Sequence, residues 1–70
     1  MRTVQITKEP VELFKILKFE GMVTTGGEAK LVIGDGQVTV NGEIETRKRK
    51  KIVDGDIIVF NGETIRIQLV

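Results

Sequence analysis

Arg47, Lys48, Arg49, Lys50 and Lys51 place five cations in a row in a chain whose formal net charge is only +1. Without them six Lys and Arg face ten Asp and Glu, and the other 65 residues carry −4, so positive charge is concentrated in one short segment. A clustered basic segment is the electrostatic footprint of a polyanion-binding surface, with arginine as a planar bidentate donor to phosphate and lysine as a point charge. Most blocks of like charge are solvated and disordered. This one lies between a strand-like hairpin, Val38 to Thr46, and an apolar strand, Ile57 to Phe60, which marks it as an ordered connection.

Two further groups have residue types that could do chemistry. Gly26 and Gly27 put side-chain-free backbone at the start of a helix, where exposed N–H groups and the helix dipole favour an anion. Helix–helix crowding would select glycine there equally well. Lys30, one turn on, either closes on such an anion or is a solvated lysine. Asp54-Gly55-Asp56 offers paired carboxylates, but Asp and Gly are preferred turn formers and the segment opens directly into a strand, so it reads as a turn rather than as an acid/base or metal site.

Other chemistries are excluded by composition. The chain has no Cys, His or Ser, which removes disulfides, thiolate zinc sites, imidazole catalysis and a serine nucleophile together. No P-loop is present, because Lys-Ser/Thr does not follow the glycines, and Gly34-Asp35-Gly36 lacks the third glycine of a dinucleotide fingerprint and precedes a strand. No apolar run approaches the ~20 residues of a membrane-spanning helix, and the amino terminus lacks a signal-peptide apolar region. The expectation is a cytoplasmic, non-catalytic protein without cofactor, metal or small-molecule substrate.

The elements that must position these residues follow from periodicity. Seventy residues make one domain with a small aliphatic core. Val4 and Ile6 alternate with polar neighbours as a first strand. Pro10 suits the first turn of a helix from Val11 to Phe19, with Leu13, Ile16 and Leu17 on its buried face, Lys15 and Lys18 opposite, and Gly21 as its C-terminal cap. Thr25 and Glu28 form a capping box for a second helix beginning near Gly26, with Ala29, Val32 and Ile33 buried and Gly34-Asp35-Gly36 as its end. Two hairpins turn at Asn41-Gly42 and Asn61-Gly62, each the strongest short signal for a type I′ turn. Ile65, Ile67 and Leu69 alternate with Thr64, Arg66 and Gln68, one face buried and one wet. The predicted architecture is α+β, two helices packed on a small, mostly antiparallel sheet. If residues 44 to 52 stay extended, parity places Lys48 and Lys50 with core-facing Ile44 and Ile52, and Arg47, Arg49 and Lys51 project outward.

Three segments then carry a resemblance: Gly21-x-x-x-Thr25-Gly26-Gly27-Glu28-Ala29-Lys30, Gly36-Gln37-Val38-Thr39-Val40-Asn41-Gly42, and Val53-Asp54-Gly55-Asp56-Ile57-Ile58. Over roughly residues 11 to 60 the chain resembles the S4 RNA-binding domain (alpha-L fold) in its small stand-alone, YbcJ-like form. The resemblance implies a contact surface for structured RNA, commonly ribosomal or transfer RNA and in a ribosomal setting, built from the two helices and the following hairpin. Many members of the broad family carry Ser-Arg at the start of the second helix, where Thr25 and Gly26 stand here, so that arginine contact is missing. The burden shifts to Lys30, to the Gly26 and Gly27 backbone, and to Arg47, Lys48, Arg49, Lys50 and Lys51, with Lys15 and Lys18 as peripheral candidates. Lacking Trp and Tyr, the chain should grip phosphate and shape rather than stack bases, with Arg47 and Arg49 as the favoured pair. The expected partner is RNA bound by a monomer. The competing reading is a protein-interaction adaptor whose basic loop meets an acidic partner.

Overall fold

Each of the two Asn-Gly pairs takes positive φ at both residues, 54° and 86° at Asn41-Gly42 and 53° and 77° at Asn61-Gly62, the geometry of the type I′ turn that matches strand twist. They close hairpins in a computed structural model that describes all seventy residues. The order is β1 (Arg2–Ile6), β2 (Val11–Glu12), α1 (Leu13–Phe19), α2 (Gly26–Gly34), β3 (Val38–Val40), β4 (Glu43–Ile44), β5 (Lys51–Ile52), β6 (Ile57–Phe60) and β7 (Glu63–Leu69). Five strands form one sheet in the order β1-β7-β6-β3-β4, antiparallel except for the parallel β1–β7 pair, in which Val4 lies beside Ile67. The predicted α+β arrangement of two helices on a mostly antiparallel sheet is the one found.

Both helices end as their sequences dictate. In α1 the Met22 N–H reaches the Leu17 carbonyl and the Gly21 N–H the Lys18 carbonyl; in α2 Gln37 and Gly36 bond Val32 and Ile33 in the same way. These paired bonds satisfy carbonyls that a helix end otherwise leaves open, and the residue in the left-handed region is glycine both times. Leu13, Ile16 and Leu17 of α1 and Ala29, Val32 and Ile33 of α2 pack on Val38, Val40, Ile52, Ile58, Ile65 and Ile67, an entirely aliphatic buried core. Leu69, expected on that buried face, is 38% exposed because the strand runs past the core at its end.

Three expectations are corrected. Pro10 does not open the first helix: it follows a cis peptide bond, and Val11 and Glu12 instead pair antiparallel with Ile52 and Lys51 as a separate two-stranded sheet. Ile44 does not face the core but is 68% exposed. A two-residue turn aligns Val40 with Glu43 and therefore Thr39 with Ile44, and Thr39 stands on the opposite face from buried Val38 and Val40. Nor is the basic segment extended: the Lys50 N–H bonds the Arg47 carbonyl at 3.2 Å, closing a tight turn. Parity therefore fails, and Lys48 is exposed while Lys50 is partly covered.

Candidate functional site

The basic turn is held by its backbone. The first N–H groups of an α-helix have no partner within the helix, and the residue preceding α1, Glu12, supplies no side-chain cap. The Lys50 carbonyl accepts from Leu13 N–H at 2.9 Å and the Lys48 carbonyl from Phe14 N–H at 3.1 Å. Together with the β2–β5 pairing and fully buried Ile52, these bonds seat Arg47–Lys51 on the start of α1. The cationic side chains are left to the surface.

Two of the five are oriented by carboxylates. Arg47 donates from its backbone N–H, Nε and Nη2 to Glu45, at 2.9 to 3.0 Å, and Arg49 reaches Glu12 at 3.2 Å. The Arg47 hydrogen bond holds the Glu45 carboxyl down at about 2 and raises the guanidinium in return. Glu12 is lowered by its hydrogen bond from Lys15, then by that from Arg49. The two arginines remain 70% and 64% exposed, and ion pairs so open to water contribute little to stability, so their main effect is to fix direction. Lys48, Lys50 and Lys51 have no ion-pair partner. Arg47, Arg49, Lys50 and Lys51 alone line a shallow hollow of about 400 Å³. Lys48 points elsewhere, its stem crossing the end of α2, where a Cβ on Gly34 would stand 3.3 Å from its Cε. A cation at a helix C-terminus is favourably placed.

At the other end of α2, the Thr25 hydroxyl accepts from Glu28 N–H at 3.0 Å, as the sequence predicts. The return bond lands one residue early: Glu28 accepts from the Thr24 N–H at 2.8 Å and hydroxyl at 2.7 Å, which lowers its pKa. A carboxylate thus already occupies part of this helix start. Crowding does not explain the two glycines. A Cβ on Gly26 would come no nearer than 3.9 Å to the Phe14 ring, and one on Gly27 would meet only Thr25 Oγ1, at 3.8 Å.

The same Phe14 ring joins the two halves of the site. Lys30 Nζ from α2 lies 4.7 Å from the ring centroid, Arg49 Cζ from the basic turn 5.3 Å, and Lys15 Nζ from α1 itself 5.9 Å. Gly26, Lys30, Arg49 and Lys15, named separately from the sequence, therefore converge on one side chain that sequence reasoning missed. Lys18 is exposed in the last turn of α1 and is not among the cations at the ring. Also missed were Glu12 and Glu45, whose roles depend on folds of chain that no local pattern announces.

Asp54-Gly55-Asp56 is the turn it was read to be. The Asp56 carboxylate accepts from Val53 N–H and from the Asn41 side chain, each at 3.0 Å, and that of Asp54 accepts from Leu69 N–H at 2.8 Å. No His, Cys, Asp and Glu cluster in the chain has the arrangement of a metal site, and no helix is long and apolar enough to cross a membrane.

A family model described as S4 domain matches residues 4–68. YbcJ of Escherichia coli (strain K12) is 46% identical over 68 residues, covering 96% of this chain and 97% of YbcJ. Its solution structure, described as revealing an "alfaL" motif involved in RNA-binding, superposes with a TM-score of 0.74 over 97% of this chain and 87% of that one, at 45% identity. The "Probable ribosome maturation protein RlbA" of Bacillus subtilis (strain 168) is 30% identical over 59 residues, 84% of this chain and 83% of that protein.

Proposed function

This chain belongs to the S4 domain family, and from that premise we propose that it is a non-catalytic module that binds structured RNA, ribosomal or transfer RNA, chiefly through phosphate and shape. The observation that carries the reading is the hollow lined only by Arg47, Arg49, Lys50 and Lys51 beside the Lys15–Lys30–Arg49 cluster. Together they present six cations from three elements on neighbouring surface, with Lys48 apart from them at the end of α2.

Phosphate rather than an acidic protein is favoured by residue type and spacing. Arg47 and Arg49 are already turned outward by carboxylates, and a phosphate offers the same bidentate acceptor geometry. Gly26 and Gly27 keep the start of α2 free of side chains that would hold a backbone away, and neither glycine is required by packing within the chain. Lys48, Lys50 and Lys51, free of internal partners, contribute most of the released counterions. The RNA-binding motif described for YbcJ supports RNA as the partner and the likeness to RlbA a ribosomal setting, and a soluble cytoplasmic monomer is the matching state.

The test is titration of the full chain, by fluorescence anisotropy, with a folded RNA hairpin, a single strand of equal length and a polyglutamate peptide. Tightest binding to the hairpin, with an affinity that falls steeply with salt, is expected. Equal or tighter binding to polyglutamate would favour the adaptor reading.

A further inference from the structure

Phe14 is one of only three aromatic residues in the chain, and it is not part of the fully buried core. It packs against the edge of that core, half-buried, and cationic groups meet the rest of its ring. The backbone N–H bonds the Lys48 carbonyl at 3.1 Å, while the Leu13 N–H bonds the Lys50 carbonyl at 2.9 Å. Arg49 lies between those two tethered residues, and its guanidinium is held 5.3 Å from the ring centroid. Lys30 arrives from α2 at 4.7 Å, and Lys15 from the next position of α1 at 5.9 Å. Three cations from three elements thus share one ring.

Like charges gathered this closely repel one another, and only one carboxylate, Glu12, stands between Lys15 and Arg49. Nothing comparable faces Lys30, which has no ion-pair partner. The negative face of an aromatic quadrupole attracts a cation within about 6 Å of the centroid, and it does so without supplying a formal charge that would compete with phosphate. A carboxylate in the same place would hold the cations and neutralise them; an aliphatic side chain would do neither.

We propose that Phe14 is the positioning residue of this surface, its ring holding Lys15, Lys30 and Arg49 together as a preorganised three-cation seat for an RNA phosphate. The inference rests on the RNA-binding reading and adds to it a residue that carries no charge. It has a distinctive signature. The salt slope of binding counts the cations that neutralise phosphates, whereas preorganisation changes affinity without changing that count.

The experiment compares Phe14→Leu, Phe14→Tyr, Lys30→Gln and the Phe14→Leu/Lys30→Gln pair in anisotropy titrations against the RNA hairpin across a salt series, with thermal unfolding of each. Phe14→Leu is expected to weaken binding roughly 3- to 10-fold with the salt slope unchanged, and Phe14→Tyr, which keeps the ring, to stay within about 2-fold of the parent. Lys30→Gln should weaken binding and lower the slope by about 0.7 to 0.9, and its loss should be smaller when Phe14 is already leucine. Tyrosine and leucine variants that are equally weak, or a leucine variant that binds like the parent, would overturn the proposal. In the second case Lys48→Gln/Lys50→Gln/Lys51→Gln still weakens binding if the RNA reading is right; a parent that binds no RNA overturns both. Should Phe14→Leu unfold, NMR of the parent decides: the Lys30 ε-methylene protons, under the ring face, are expected upfield of the other lysines, and a coincident shift would contradict the geometry.

Discussion

Two charged turns flank the short strand β5; the main chain of each is bonded into the fold, Gly55 and Asp56 to Ile67 as Lys48 and Lys50 are to the start of α1, and they differ in what their side chains do. In Val53–Asp56 the side chains turn inward: Asp54 and Asp56 accept from the Leu69 and Val53 backbone, and Asp56 also binds Asn41, whose own oxygen accepts from Ile57 N–H. In Arg47–Lys50 the backbone turns inward, onto Arg47 itself and the first N–H groups of α1, and the side chains are left outside. The first turn ties strands together. The second presents charge. A run of like charge becomes a usable surface when its main chain, rather than its side chains, satisfies the fold, because ordering the backbone in advance removes a cost that a partner would otherwise meet.

That contrast can be broken most severely at the basic turn. Replacing Lys48, Lys50 and Lys51 together with Gln should weaken hairpin RNA binding roughly 10- to 100-fold near 0.1 M salt and lower the salt slope by about 2, while leaving the melting temperature nearly unchanged. The reciprocal change, Asp56→Ala, should cost about 0.5 to 1.5 kcal/mol, because the Val53 N–H and the Asn41 side chain, both on exposed residues, lose their acceptor to water. In a domain of this size that is a fall of roughly 2 to 12 °C in Tm. RNA affinity at a temperature where the variant is folded should not fall. A loss of affinity in Asp56→Ala without a loss of stability would erase the distinction between the two turns.

Much of this was legible because it is local. The Schellman ends at Gly21 and Gly36, the Thr25 cap, the two Asn-Gly turns and the concentration of cations each depend on residues within a few positions of one another. Ile44 was misread as core-facing although its signal is local: the two-residue turn at Asn41-Gly42 fixes Ile44 opposite Thr39, and parity counted forward from that pair, rather than back from Ile52, turns it outward. The β2–β5 pair was not legible, since Val11–Glu12 and Lys51–Ile52 are two residues each and only their juxtaposition makes them strands. Phe14 was hidden for another reason. It lies next to the Leu13–Ile16–Leu17 stripe, where an aromatic reads as core, and its cations come from three separate elements.

Smaller effects sharpen the account. Thr25→Ala should cost about 1 kcal/mol by removing the cap of α2, measured by urea unfolding, and should weaken RNA binding only through fraying of Gly26 and Gly27. The smallest concerns Glu45. Because its folded pKa is depressed to about 2, the clamp on Arg47 contributes stability that is present above the ordinary carboxylate pKa and is lost as pH falls from there toward 2. Side-chain carboxyl NMR should find Glu45 titrating well below the ordinary carboxylate range, and Arg47→Gln should bring it back toward that range.

The central claim is that the basic turn is fixed by its main chain and not by its charges. Amide hydrogen exchange at Leu13 and Phe14, whose N–H groups bond the Lys50 and Lys48 carbonyls, reports that anchoring directly. In Lys48→Gln/Lys50→Gln/Lys51→Gln both amides should keep the protection of the parent while hairpin RNA binding collapses. Faster exchange at those two amides, in step with the loss of binding, would mean that the side chains had been holding the turn, and would contradict the account.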